Sequence, residues 1–476
     1  MTSTGNTSLR ALLDDAGLSN AALSRDVLRL GAKEGVHLGT TPTSVQRMLT
    51  GTQPRWPVPR LVAKALTHHL GREVTVSECG FVDQGPIERD PYDGLQSADS
   101  MHETVRSVVS LSDRDMNRRN FLLGTTFSAA AFAEPALFAM TVPPAQITEQ
   151  AYGRRIGQSD VEILQEHFDH LWRLDHRYGS GRVREQGVRL LNSEATNLLK
   201  GSYSAKVGNA LLRVVAQTSW LAGSMSADVG RHALAQRYYI QTLNLALSAG
   251  DTQYAANILG YMSRMTIHIG HSATSEGERI SNGRHAVALA RAAQSLANNR
   301  LTPVLSGLLC AIEARGHALL GDARQARMTV HKAEKAFERS VPDNEPSWLA
   351  FYTEAELLAD LGRCLRDTGE STNAERLINH ALESYEPWRA RSRCFVQTDL
   401  ATTHLVAHDY DRATSMGLDA VRTAARISSS RAVDRIRTLH RQVQPIRMRS
   451  THLVTLDNEI TAYLAHQQPG NEDTHA

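Results

Sequence analysis

The N-terminal region contains a stretch in which positive charge is not balanced by acidic residues. Between Gly35 and Arg72 the sequence has no aspartate or glutamate, but it has the cations Arg47, Arg55, Arg60, Lys64 and Arg72. A local excess of this kind neutralises the phosphates of a nucleic-acid backbone, and the resulting binding weakens as salt rises. The whole chain has 52 Lys and Arg against 50 Asp and Glu, so only this stretch indicates a nucleic-acid partner.

The hydrophobic spacing around this stretch predicts four short helices. Residues 9–16 form the first, Ser19 caps a second at 20–30, residues 43–49 form a third, and residues 61–70 form a fourth. The apolar residues of the third helix face the core, which leaves polar side chains outward, where they can reach base edges and phosphates. The pattern predicts a helix-turn-helix with the DNA-binding residues Thr43, Ser44, Gln46, Arg47, Arg55, Arg60 and Lys64.

The connection between the second and third predicted helices does not fit the usual motif. It runs from Gly31 to Pro42, about twelve residues, whereas the turn of a helix-turn-helix has 3–4 residues. This difference leaves an alternative open, in which the domain is a small helical protein-interaction module whose basic face is only solvated.

Length and composition predict an all-α protein of several domains. The chain has 476 residues, 41% of them hydrophobic and 21% charged, which is ordinary globular usage and excludes wholesale disorder. Alanine and leucine are abundant, and no alternating run predicts a strand. We expect a helix-turn-helix domain at residues 1–82, a linker with an apolar connector helix at 83–156, a helical repeat domain at 157–466 and a disordered tail at 467–476.

The C-terminal region repeats a pattern of small residues. Alanines recur in pairs seven residues apart; Gly321 and Gly369 precede the first alanine of their pairs by five residues, and Val330 and Ile378 follow it by four. Small residues at this spacing let two antiparallel helices approach closely, as in tetratricopeptide repeats. The first alanines are about 39 to 51 residues apart instead of about 34, so we predict a degenerate, tetratricopeptide-like α-solenoid. The alternative is an unrelated helical bundle rich in alanine. The first alanines are Ala235, Ala286, Ala326, Ala374 and Ala413.

Aromatic residues gather in the middle of the repeats. They are Trp220, Tyr238, Tyr239, Tyr254 and Tyr261. One interpretation is that they pack in the core and between repeats. The other is a concave groove that takes a peptide, a partner helix or a small signal molecule.

A twin-arginine motif lies at Arg118 and Arg119, and a mostly apolar run follows it to Val142. It looks like an export signal, but it begins about 120 residues into the chain, and the apolar run contains Glu134 and Pro135, whereas export signals are N-terminal. We expect this segment to pack as a buried connector between the two main domains. Export or membrane use is the alternative, and a cytoplasmic location is the prediction.

Several stretches resemble a known family. The segments LRALLDDAGLSNAALSRDV and TSVQRMLTGTQPRW are similar to the N-terminal domain of the NsdA-type negative regulators of Streptomyces differentiation and antibiotic production. Further similarity lies in DHRYGSGRVR and EARGHALLGDAR, so the resemblance spans nearly the whole chain. It implies a helix-turn-helix domain, a tetratricopeptide-like region and a cytoplasmic regulator of development or secondary metabolism. The family usually has Trp and Arg where this chain has Met48 and Thr50, so one phosphate contact is expected to differ.

Together these patterns predict a transcriptional regulator, more specifically a repressor, that binds double-stranded DNA as a homodimer. The repeat domain would dimerise and receive a peptide, protein or small-molecule signal. The alternative is a tetratricopeptide-like scaffold that does not bind DNA. We expect no enzyme activity, cofactor or metal, because the sequence has no catalytic or phosphate-binding motif and its four cysteines form no C-x-x-C pair.

Overall fold

The computed structural model describes residues 5–33, 36–72, 74–81, 94–98, 100–116, 126–141 and 154–467. Within these ranges the regular structure is helical, and the β-type pairing is a single isolated bridge between Arg155 and Ser202. The predicted all-α class is therefore confirmed for the part of the chain that the structure describes. The predicted tail lies outside the described residues except for Gln467.

The chain divides into two compact units, residues 1–90 and residues 91–476. The first unit contains the helices α1 (Thr7–Asp15), α2 (Asn20–Lys33), α3 (Pro42–Leu49) and α4 (Val58–Leu70). Its core is formed by buried aliphatic side chains from all four helices, among them Leu9, Leu23, Val27, Val45, Leu61 and Leu66.

The helix ends in the first unit follow from local capping. α1 begins two residues before the predicted start because the Asn6 side chain accepts a hydrogen bond from the Leu9 amide at 2.9 Å. α4 begins three residues before its predicted start, with Pro59 in its first turn. Backbone amides in the first turn have no acceptor within the helix, so a proline there costs no helical hydrogen bond. α2 continues to Lys33, so residues 34–41 connect it to α3, fewer than the sequence predicted.

The second unit is built from seventeen further α-helices within its described residues. They are α5 (Met101–Met116), α6 (Ala133–Thr141), α7 (Gln158–Tyr178), α8 (Ser180–Arg189), α9 (Thr196–Leu198), α10 (Ala205–Asp228), α11 (His232–Ser248), α12 (Thr252–His271), α13 (Glu276–Ala297), α14 (Pro303–Leu320), α15 (Ala323–Phe337), α16 (Glu354–Asp367), α17 (Ser371–Ser384), α18 (Ala390–Val406), α19 (Tyr410–Ala424), α20 (Ser430–Val443) and α21 (Thr451–His466). Short 3-10 or π segments lie at Ala129–Phe132, Leu190–Ala195, Asn298–Arg300, Pro342–Asn344, Ser347–Leu349 and Gln444–Arg449.

From α10 onward, helices that follow each other in sequence pack in pairs: α10 with α11, α12 with α13, and so on to α20 with α21. Gly321 and Gly369 end the first helix of their pairs with φ of 79° and 88°, a backbone conformation that favours glycine. Inside a pair, a Cβ on Gly362 would lie 2.4 Å from the Ile378 side chain. The small residues therefore allow the two helices of a pair to approach closely, as the sequence pattern predicts.

The region predicted to be a linker contributes helices to the second unit. α5 packs against α11 with Val108 and Leu111 buried, and the apolar run buries Phe132 while Leu137 stays exposed. The twin-arginine pair Arg118 and Arg119 lies outside the described residues. Among the residues that the structure describes, no helix has both the length and the apolar character needed to cross a membrane.

Candidate functional site

The third helix of the first unit is held at both its start and its buried side. Thr41 and Ser44 form a reciprocal cap, in which the Thr41 hydroxyl accepts from the Ser44 amide and the Ser44 hydroxyl accepts from the Thr41 amide, both at 3.2 Å. Val45, Met48 and Leu49 are buried in the core. These anchors leave the side chains of Thr43, Gln46 and Arg47 exposed on the opposite face of α3.

Two of the residues predicted to contact DNA also have structural partners. Ser44 is only half-exposed, and its hydroxyl belongs to the cap. The Gln46 side-chain oxygen accepts a hydrogen bond from the Asn20 amide group at 3.0 Å, which links α3 to the first residue of α2. Gln46 therefore helps to position α3 against α2, in addition to any contact it makes from its exposed face.

The predicted cations divide into two groups. Arg47 on α3 and Arg55 in the loop before α4 are exposed, and neither forms an ion pair with another residue of the described ranges. Arg60 and Lys64 lie on α4, which packs mainly against α2, and both interact with other groups of the protein. The structure thus places Arg47 beside Thr43 and Gln46, whereas Arg60 and Lys64 belong to another helix.

Asp26, in the middle of α2, interacts with two neighbouring side chains. One Asp26 oxygen lies 2.8 Å from Arg29, and the other lies 2.8 Å from the His69 ring nitrogen. Burial acts to raise the pKa of Asp26, but the hydrogen bond from His69 and the charge of Arg29 outweigh it and lower the pKa. This carboxylate is therefore already paired and does not offset the charge of Arg47 on α3.

The comparisons with known proteins bear on this unit. Residues 9–82 match the family model of the SP15 N-terminal domain. No curated protein matches the chain. The matched residues include α2, α3 and α4 together with most of α1, so the match covers the elements that position Arg47.

The aromatic residues of the predicted groove separate into lining and core positions. Trp220 and Tyr261 line a cavity of about 320 Å³ in the second unit, and with Tyr254 they also line an adjoining cavity of about 450 Å³. Tyr238 is fully buried and donates a hydrogen bond to Asp115 at 2.9 Å. Tyr239 is buried against Gly223, so these two tyrosines serve the packing of α10 and α11.

The 320 Å³ cavity is lined by alternate helices. Its helical walls come from α7, α10, α12, α14, α16, α18 and α20, which from α10 onward are the first helices of the successive pairs. From the second helices, the described lining includes only Tyr385, the residue directly after the end of α17. This arrangement collects side chains that are far apart in sequence around one space.

Two buried carboxylates organise a cluster of arginines beside the cavity. Asp360 contacts Arg264, Arg315 at 3.1 Å and Arg363 at 2.8 Å. Burial acts to raise the pKa of Asp360, but the arginine charges hold it well below the usual range. The carboxylate is therefore ionised and is surrounded by three cations.

Asp399 extends the same cluster to two further helices. Its oxygens lie 3.1 Å from Arg363, 2.6 Å from Arg366 and 2.9 Å from Arg435. The sequence patterns described above do not predict a site at these residues. The one local signal is the spacing of Arg363 with Arg366, and of Arg431 with Arg435, which places each pair on one helix face.

We expect the protein to lose stability in mild acid because His176, which lines the cavity, is held neutral in the folded state. The His176 side chain is 14% exposed, and burial together with the Arg391 charge lowers its pKa well below the ordinary value, despite a hydrogen bond to the Trp172 carbonyl. The folded protein therefore holds this ring neutral, while the unfolded chain takes up a proton below about pH 6.5. The free energy of unfolding then falls with decreasing pH, by up to about 1.4 kcal/mol per pH unit for one such group.

We expect His176→Gln to reduce this slope between pH 6 and pH 5, as measured by urea unfolding at each pH. His170 lies exposed on the same helix, α7, and His170→Gln is expected to leave the slope of the parent protein unchanged. Equal slopes in the parent protein and in His176→Gln would contradict a neutral buried ring.

The described residues offer no metal centre. No group of three or more His, Cys, Asp or Glu side chains within them is arranged to hold a metal ion. The four cysteines are free and buried, and burial raises the pKa of the Cys364 thiol to about 12, which disfavours the reactive thiolate.

Proposed function

We propose that the protein is a DNA-binding transcriptional regulator, acting as a repressor, whose first unit contacts duplex DNA through α3. The observation that carries the proposal is the exposed face of this helix. Arg47, with no ion pair in the described ranges, lies there beside the polar side chains of Thr43 and Gln46. Arginine and glutamine are residue types that hydrogen-bond to base edges in the major groove, and arginine also binds phosphate.

In this proposal α2 and α3 form the helix-turn-helix, and α3 is the recognition helix. Support comes from the direct packing of α3 on α2 and from the Asn20–Gln46 hydrogen bond between them. The connection at residues 34–41 is longer than the usual turn, so the motif is an extended variant. Arg55, in the loop before α4, would contact the phosphate backbone as a point charge.

In the second unit, we propose a degenerate tetratricopeptide-like array that dimerises and receives a signal. The pairwise packing from α10 to α21 and the lining of one cavity by the first helices support this assignment. A dimer would place two α3 helices about 34–36 Å apart on a palindromic site, one turn of the DNA helix. The proposal includes no catalytic step, and it places the protein in the cytoplasm as a regulator of development or secondary metabolism.

A protein-interaction scaffold that never contacts DNA is the second candidate. It is favoured by the structural use of Ser44 in the helix cap and of Gln46 in the bond to Asn20. It is also favoured by the nearly equal numbers of basic and acidic residues in the chain.

Chromatin immunoprecipitation of the full-length protein, followed by a salt titration on an enriched fragment, separates the two functions. We expect a discrete set of promoter regions and an affinity that falls steeply between 50 and 200 mM salt, since each neutralised phosphate releases counterions. If no promoter is enriched and the protein does not bind promoter fragments at low salt, the regulator is contradicted and the scaffold function is favoured.

A further inference from the structure

The cavity lined by the first helices of the pairs holds more arginine than its carboxylates neutralise. The five arginines that contact Asp360 and Asp399 all line it, and Arg391 and Arg431 line it as well. These seven side chains come from five helices, α12, α14, α16, α18 and α20. These arginines therefore line one cavity from several helices.

Among the described residues, five carboxylates contact these arginines. Asp360 and Asp399 are joined by Asp367, which lies 2.8 Å from Arg366, and by two partners of Arg391, Asp175 at 2.7 Å and Asp228 at 3.4 Å. The two other acidic residues of the lining are bound by arginines from outside it: Glu356 by Arg389 at 3.1 Å and Asp434 by Arg437 at 2.8 Å. The cavity is left with an excess of two positive charges.

Arg431 is the arginine of the lining that makes no ion pair with a described residue. It forms no ion pair or hydrogen bond with another described residue, and its guanidinium lies 5.1 Å from the centre of the Phe395 ring. Burial lowers the pKa of Arg431 to about 10. The negative charge of Asp228 acts against this lowering, whereas the neighbouring charges of Arg391 and Arg435 add to it. A half-buried cation in this position would be stabilised by an anion in the cavity.

The same cavity presents aromatic rings and unpartnered donors. Trp172, Trp220, Tyr261, Phe351 and Phe395 line it. The buried Trp220 Nε1, Arg264 Nε and Arg363 Nε atoms have no hydrogen-bond partner among the residues that the structure describes. Buried donors are nearly always satisfied in native proteins, so groups of this kind indicate a bound molecule or water.

We infer that this cavity binds a small organic anion in which a phosphate or carboxylate group is attached to a planar ring. The anion pairs with Arg431 and the arginines beside it, and the ring packs against the aromatic wall. A cavity of about 320 Å³ is at the small end of the range for ligand pockets, which fits a molecule of one or two rings. This ligand would be the signal that the second unit receives in the proposed function. Binding of the ligand does not require the proposed function, whereas an effect of the ligand on DNA binding does.

Titration calorimetry of the full-length protein without DNA tests the inference. One arm uses the four common ribonucleoside monophosphates, a second uses the aromatic carboxylates phenylacetate and indole-3-acetate, and the references are inorganic phosphate and the uncharged nucleosides. We expect saturable binding in one arm, at least tenfold tighter than for either reference. Binding in the first arm identifies a nucleotide-type ligand, and binding in the second identifies an aromatic acid. No binding in either arm, or equal binding of the uncharged nucleosides, would overturn the inference.

Arg431→Gln provides the matched variant, because it removes one charge without leaving a carboxylate unpaired. We expect at least tenfold weaker binding, with a melting temperature of the ligand-free protein that is unchanged or higher. Arg426→Gln changes an exposed arginine outside the cavity and should bind as the parent protein does. Unaltered affinity in a folded Arg431→Gln protein would remove the arginine from the site.

Adding promoter DNA to the calorimetry separates this inference from the proposed function. A ligand that binds the cavity but leaves DNA affinity unchanged supports the ligand site and removes its signalling role. Ligand binding without any DNA binding supports the site and contradicts the proposed regulator.

Discussion

Asp360→Asn is expected to lower the free energy of unfolding by about 3–5 kcal/mol, the usual cost of removing one partner from a buried ion cluster. Asp360 is fully buried and its carboxylate contacts Arg264, Arg315 and Arg363. Asparagine keeps the size of the side chain but not its charge, so three buried guanidinium groups lose their shared counterion. Urea unfolding at pH 7, followed by circular dichroism, measures the difference.

The pH dependence of this stabilisation has a defined sign. Because the folded protein lowers the pKa of Asp360, the stabilisation is present above the ordinary aspartate value of about 3.9 and is lost as pH falls through the folded value. The difference between the parent protein and Asp360→Asn should therefore be constant from pH 7 to about pH 5.

Asp419→Asn is the matched control for Asp360→Asn. Asp419 lies on α19 with 35% of its side chain exposed and pairs with Arg422 one turn along the helix. Exposed pairs of this type contribute about 0–1 kcal/mol. Similar losses in the two variants would contradict the assignment of Asp360 as the centre of a buried cluster.

Arg47→Ala is expected to weaken binding of the full-length protein to a promoter fragment by about 5- to 150-fold, or 1–3 kcal/mol, if Arg47 reads a base. The residue is exposed on α3 and has no ion pair in the described ranges, so its loss should not change folding. Fluorescence anisotropy on an immunoprecipitated fragment and on an unrelated duplex measures both affinity and specificity. A uniform loss on both duplexes, with a shallower salt dependence, would assign Arg47 to a phosphate instead of a base.

Arg10→Ala is the control for Arg47→Ala, because Arg10 is an exposed arginine on α1 of the same unit. It should bind both duplexes nearly as the parent protein does. Equal losses in the two variants would show a general charge effect in place of recognition by α3, and unchanged affinity in Arg47→Ala would remove this residue from the interface.

Much of the helical framework was predictable because its signals are local. The apolar spacing of Val45, Met48 and Leu49 places α3 within one residue of its predicted start, since a helix face repeats every 3.6 residues. Gly321 and Gly369 adopt the left-handed conformation at the predicted turns. The exposure of Thr43, Gln46 and Arg47 follows from the same periodicity.

Contacts between residues that are far apart in sequence were not predicted. The Asn20–Gln46 bond joins residues 26 positions apart, and Tyr238 meets Asp115 across 123 positions. Trp220 and Tyr261 line a cavity, but aromatic clustering in the sequence does not separate them from the buried Tyr238, because core and lining residues have the same side-chain chemistry.

Local sequence patterns were enough to predict the helical class of the described residues, the close approach of neighbouring helices and the basic stretch around α3 that lacks acidic residues. Which charged side chains meet depends on how the helices pack. Asp360 lies 96 positions from Arg264 and 45 from Arg315, and no periodicity encodes such contacts. They arise because successive helix pairs stack and turn their first helices toward a shared space, where burial strengthens each charge interaction. Arg431 lines the same space and makes no ion pair with a described residue.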